Sequence, residues 1–161
     1  MSARTARERL AEAQATLVRA LAQGAPVPPG FDSARVQATA ETLLSKRRRW
    51  VERSWPRLVA ALGESFRSRF EAWARENPME LEASALADGR RFADALLAAG
   101  EFPSSESAHE ELLTFEVRFR LTEHGLVARR GLTFKSMRTG AATLLAARLP
   151  GGRVLRLRLP F

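Results

Sequence analysis

Apolar positions recur along most of this chain at three- and four-residue steps, the spacing that gathers side chains on one face of a helix. Ala6, Leu10, Ala13, Leu17 and Leu21 form the first such series and predict an amphipathic helix. The stretch "GAPVPPGF" then breaks it, because its prolines lack backbone donors and its glycines do not hold helical dihedrals. It predicts a linker packed at most by Val27 and Phe31.

Asp32 or Ser33 is placed to cap a second helix running to about Ser54. Pro56 then suits the first turn of a new segment, "PRLVAAL", which Gly63 can end in a left-handed conformation. Phe66, Phe70 and Trp73 share a face of a further helix that stops at Asn77-Pro78. Another opens at Ser84, carries Leu86, Ala93, Leu96 and Leu97 inward, and ends at Gly100. Residues 114–122 fit either periodicity: Leu112, Phe115 and Phe119 follow a helix, while Phe115, Val117, Phe119 and Leu121 alternate as in a strand. The segment's length and its acidic first turn behind Ser105 favour helix.

The last stretch, "LLAARLPGGRVLRLRLP", predicts a β-hairpin about Pro150-Gly151-Gly152. A two-residue Gly-Gly loop would mix leucines and arginines on one face. A three-residue loop sets Leu145, Ala147, Leu149, Leu155, Leu157 and Leu159 on one face, and Arg148, Arg156 and Arg158 on the other. The odd loop is therefore expected, with the leucine face docked on the helices or on a third strand, "GLTFKSM", and the basic face and one edge left open.

The expected fold is mainly α: an orthogonal helical bundle over residues 1–123, followed at 124–161 by a small basic antiparallel β-hairpin or three-stranded sheet docked on it. Charge follows the same division. Of 26 basic residues, 18 lie in residues 1–123 with all 18 acidic ones, and the net charge of +8 comes entirely from residues 124–161. An electrostatic partner is expected at that end. The chain has no cysteine, which removes disulfides, thiolate nucleophiles and thiolate metal ligands. Its first residues mix charges of both signs and read as neither a secretory signal nor a membrane span, so a cytoplasmic location is expected.

The stretch "SKRRRWVERSWP" is the clearest invitation to a nucleic-acid reading. On a helical projection Val36, Ala40, Leu43, Trp50 and Ser54 point in one direction with Arg47 among them, while Lys46, Arg48 and Arg49 spread over the flanks and back. The charges do not form one patch. Arg47 is expected either to thread its stem through the core and pair with a carboxylate, or to face a partner protein. Trp50, Trp55 and Trp73 are expected in the core. His109 and His124 are the only histidines, and "HEELL" lacks the second histidine of a zinc-binding helix. No acid–base pair, phosphate loop or base-reading motif stands out, and a non-enzyme is expected.

The order of "SWPRLVAALGESFRSRFEAWARENP", "LADGRRFADALLAAG", "ELLTFEVRFRL" and "LPGGRVLRLRLP" resembles the BufC/HvfC family over about residues 8–161. That family was first labelled a DNA-binding domain. Its members resemble the second subunit of methanobactin synthase, a partner of multinuclear non-haem iron-dependent enzymes that modify ribosomally made precursor peptides. The family's Tyr-Arg-Asn-Asn segment has no counterpart here, where the aligned region reads "TAET", so only the general role and Trp55-Pro56 carry over. The resemblance implies a non-catalytic partner subunit with no cofactor of its own, the iron being held by the partner enzyme. It also implies a bound precursor peptide, and the charge and open edge of the basic hairpin lead to the expectation that it accepts an acidic or extended leader segment, by strand addition and arginine–carboxylate pairing. Arg148, Arg153, Arg156, Arg158, Arg47, Trp55 and Pro56 are the candidate partner- or peptide-binding residues. The alternative is a nucleic-acid-binding regulator that uses the basic C-terminal region.

Overall fold

The computed structural model describes residues 3–23, 25–78 and 84–160. Among the described residues six helices are followed by five strands, an α+β arrangement: α1 Ala3–Gln23, α2 Ser33–Ser54, α3 Pro56–Leu62, α4 Ser65–Glu76, α5 Ala85–Ala98, α6 Glu106–Arg118, β1 Phe119–Thr122, β2 Gly125–Ala128, β3 Thr133–Arg138, β4 Ala142–Arg148 and β5 Val154–Pro160. The chain divides into two compact units, Met1–Arg49 with Arg67–Glu80, and Trp50–Phe66 with Leu81–Phe161.

Helix boundaries follow local chemistry. Asp32 Oδ1 accepts from the backbone N–H groups of Ala34 and Arg35 at 3.0 and 3.2 Å, satisfying two donors that the first turn of α2 cannot use internally. Ser84 caps α5 through its hydroxyl, which accepts from the Ala87 N–H at 3.1 Å. Pro56 opens α3, and Gly63, at φ +56°, closes it.

In the first unit Ala20, Val36 and Ala74 are buried. On α2, Val36 and Arg47 of the expected stripe are buried, but the next buried position is Val51 rather than Trp50. This corrects the expectation for Trp50, which is 46% exposed, and for Leu43, which is also exposed. Lys46 and Arg49 are exposed and Arg48 is half-buried against Glu71 at 3.3 Å, so the run of four charges is dispersed over the helix.

The second unit buries Trp55, Leu58, Phe92, Leu112, Leu113 and Phe115. Trp55 is 1% exposed, lies 5.3 Å from the Phe115 ring, and donates its indole N–H to the Leu86 carbonyl at 3.2 Å. Gly89 on α5 makes this close approach possible. A Cβ built there would fall 2.1 Å from Trp55 Cδ1.

The ambiguous segment 114–122 contains both structures. Helix α6 runs to Arg118 and β1 begins at Phe119, which corrects the expectation of helix throughout. Strands β1 and β2 form an antiparallel hairpin with Thr122 opposite Gly125. Strands β3, β4 and β5 form a separate antiparallel sheet in that order. The "GLTFKSM" segment supplies its first strand. Leu145 pairs with Leu157 and Ala147 with Leu155, and Leu149 N–H donates to the Arg153 carbonyl at 2.8 Å, closing the three-residue loop.

The register is as expected, but the docked face is the opposite one. Leu144 and Ala146 form a buried cluster with Leu113 and Val117 of α6, with Met137 and Val154 packed against it. Arg156 and Arg158, opposite Ala146 and Leu144, lie on this helix-facing side. The leucine face is turned outward: Leu157 is 57% and Phe134 59% exposed, and Leu155 and Leu159 are exposed with them.

Candidate functional site

Trp55, Pro56 and Arg156 are brought together by the tertiary structure. They line a cleft of about 330 Å³ in the second unit with Glu111, Thr114 and Phe115 among the other residues of its wall. Its organising group is Glu111. One carboxylate oxygen accepts from the Arg57 backbone N–H at 3.2 Å and the other from the Leu58 N–H at 2.8 Å, so α6 caps the N-terminus of α3. Arg57 Nη1 also pairs with Glu110 at 2.6 Å. Burial pushes the Glu111 carboxyl above its ordinary range, outweighing the two backbone donors and the Arg57 charge that favour its ionised form.

The C-terminal arginines play different parts. Arg156 Nε donates to the Thr114 hydroxyl at 3.0 Å, and Arg158 Nε pairs with Glu106 at 2.6 Å, so both tie β5 to α6. Arg148 Nη1 donates to the Gly131 carbonyl at 2.9 Å. Arg153 lies at the exposed base of the β4–β5 loop. These four residues do not share one outward basic face.

Arg47 belongs to the first unit. It is 6% exposed, and its Nη1 donates to the carbonyls of Ala74 at 3.1 Å and Asn77 at 2.7 Å, at the C-terminal end of α4. Its guanidinium lies 5.2 Å from the Trp73 ring centre and 5.9 Å from that of Phe70. A cation here complements the negative end of the helix dipole and satisfies carbonyls that the helix leaves unpaired.

Two surfaces escaped the sequence reading. One is the outward apolar face of the three-stranded sheet, whose strands β3 and β5, among the described residues, each pair only with β4. The other is a cleft of about 560 Å³ lined by residues of α5, α6, β1 and β3, with Arg90, Arg120, Arg129 and Lys135 on its walls. The signal for the first was present: leucines alternate along β5, but alternation does not say which side meets the helices. The basic residues of the second are scattered between positions 90 and 135, and only folding gathers them.

Among the described residues no group of three or more His, Asp or Glu side chains is placed to hold a metal ion. No described helix is long and apolar enough to cross a membrane.

Comparison with known proteins gives a family. Residues 11–98, more than half of the 161-residue chain, match the family described as "SCO6045-like, C-terminal domain". A "UPF0276 protein" of Streptomyces avermitilis is 40% identical over 102 residues, which cover 63% of this chain and 20% of that protein. The chain thus spans about a fifth of the length of this relative. Neither description names a chemical activity. No solved structure matches the chain. On the family match, the chain belongs to the SCO6045-like, C-terminal domain family.

Proposed function

We infer that this protein is a non-catalytic accessory subunit that binds an iron-dependent oxidase and helps it hold a ribosomally made precursor peptide. The observation that carries this reading is the outward face of the β3–β4–β5 sheet. Phe134, Leu155, Leu157 and Leu159 stand exposed on one side of a sheet whose other side is packed on α6. A contiguous apolar sheet face next to unpaired backbone edges is costly to leave in water, and is the kind of surface that a protein partner or an added strand covers.

Two further observations support it. The segment order resembles that of the BufC/HvfC partner proteins. In the Streptomyces avermitilis relative the matching segment is one fifth of a much longer chain, so there the equivalent of this domain is covalently joined to other protein. A domain found in that setting suits a role beside a second folded body.

The test is co-expression of the tagged chain with a multinuclear iron-dependent oxidase of the kind that the BufC/HvfC proteins accompany, followed by size exclusion and metal analysis of the eluted species. A stable iron-containing complex is expected, and Leu157→Glu, which places a charge in the middle of the exposed face, should abolish co-elution while leaving the helical circular dichroism unchanged. A chain that elutes alone and shifts DNA in a salt-dependent way would replace this reading with a nucleic-acid-binding one.

A further inference from the structure

The larger cleft of the second unit is built around a fixed arginine. Arg90 Nε bonds both oxygens of Asp94 at 2.9 and 3.0 Å, its Nη1 reaches Glu116 at 3.0 Å, and its guanidinium lies 5.5 Å from the Phe115 ring centre. That cluster is internally paired and forms one wall. Facing the same space are three cations from separate elements: Arg120 on β1, Arg129 just after β2, and Lys135 on β3. Arg129 is held by its own contacts, its backbone N–H donating to the Arg118 carbonyl at 2.8 Å and its Nε to the Phe119 carbonyl at 3.1 Å. This anchors the guanidinium at Nε and leaves its Nη groups without a partner among the described residues. Arg120 and Lys135 have no side-chain hydrogen bond or ion pair among those residues either. Lys135 sits opposite Ala146 on the helix-facing side of its sheet, so its ammonium is directed to this cleft by the same register that turns the leucines outward.

Unpaired cations converging on one concavity carry mutual repulsion that an anionic ligand relieves, and guanidinium groups bind carboxylates through charge-assisted hydrogen bonds. The geometry points to an acidic stretch of polypeptide as the occupant of this cleft, with its carboxylates on Arg120, Arg129 and Lys135. The wall explains the choice of peptide over nucleic acid. Asp94, Glu116 and Glu123 also line the cleft and would repel a continuous run of phosphates. A peptide separates its carboxylates along the chain and brings backbone N–H donors for the wall's own acids. Phe115 supplies apolar surface for its intervening side chains. The inference rests on the peptide-presenting role proposed above, and moves the recognition of acidic residues from the hairpin arginines, which hold β5 to α6, to this cleft.

The experiment is a fluorescence-anisotropy titration of the full chain with a dye-labelled peptide of alternating Glu and Val. Its Lys-for-Glu counterpart and an oligo(dT) strand of similar charge serve as comparison probes. The acidic peptide should bind best of the three, and R120E/K135E should weaken it by at least about tenfold, as loss of a charge-assisted hydrogen bond implies. R120Q/K135Q, which removes the charges without adding new ones, should lie between. Arg35→Glu, on the exposed start of α2 in the first unit, should leave binding unchanged. Acidic-peptide affinity equal in wild type and R120E/K135E, no binding of the peptide to wild type, or tighter binding of oligo(dT) would each overturn the assignment. Co-elution of R120E/K135E with the iron oxidase keeps the two proposals apart. A variant that still forms the complex but has lost peptide confirms the cleft, whereas a wild-type chain that binds peptide but no oxidase refutes the accessory role alone.

Discussion

Replacing Gly89 by alanine tests how Trp55 is seated. In the interior of an exposed helix this change stabilises by roughly 1 kcal/mol, because glycine loses more backbone freedom on folding and alanine is the best helix former. Here the new Cβ would stand 2.1 Å from Trp55 Cδ1 and 2.2 Å from Nε1, inside any permissible contact distance. The indole has little room to retreat, since it is 1% exposed, packed against Phe115 at 5.3 Å and hydrogen-bonded to the Leu86 carbonyl. Overpacking of this kind costs about 1–3 kcal/mol, and pulling the indole N–H from its acceptor adds about 1–3 kcal/mol. Set against the propensity gain, Gly89→Ala should destabilise by about 1–5 kcal/mol. Urea unfolding followed by circular dichroism and tryptophan fluorescence measures it through the midpoint and slope. The companion measurement is Gly89→Ala in a Trp55→Leu background, where the steric conflict is relieved and the effect should shrink towards, or change to, stabilisation. A single Gly89→Ala variant as stable as wild type would refute the account of this contact.

Arg47→Leu should cost about 3 kcal/mol, because it removes charge-assisted bonds at the end of α4 and leaves buried carbonyls unpaired; Arg47→Lys should recover part of this, both read by urea midpoints. Arg158→Ala should cost less than about 1 kcal/mol in the same assay, since its pair with Glu106 is 2.6 Å long but partly open to solvent. Glu111 predicts a pH effect of definite sign. Its folded-state carboxyl titrates above its unfolded one, so the native state binds more protons between the two values. The contribution is present below the unfolded pKa and lost as pH rises through the folded pKa. The stability of wild type relative to Glu111→Gln should therefore fall with rising pH across that window, and urea midpoints at a series of pH values check it.

The local grammar of the helices was legible in the chain. Asp32, Ser84, Pro56 and Gly63 each stand where a cap, a first-turn proline or a left-handed stop is needed, and each acts there. The three-residue hairpin loop was equally legible, because only an odd loop sorts leucines from arginines. Residues 114–122 resisted because the chain changes period inside one apolar run: Phe115 belongs to α6 and Phe119 to β1, and the two rings still lie 5.6 Å apart. Gly89 left a signal that went unread, since a glycine inside a helical pattern needs a packing reason to be there.

Composition and periodicity alone determined that a run of helices precedes a basic antiparallel sheet, where the helices before α6 start and stop, and how β4 and β5 register. These are properties of neighbouring residues, governed by backbone dihedrals, unsatisfied N–H groups and the two-residue repeat of a strand. Tertiary structure decided which side of the sheet meets α6, that Arg47 turns inward to the end of α4, and that Arg120, Arg129 and Lys135 converge on one cleft. A strand's alternation is symmetric between its two faces, and a cation's partner is set by what folding brings beside it. In this chain Leu144 and Ala146 of β4 pack against Leu113 and Val117 of α6, and the leucines of β5 were left facing out.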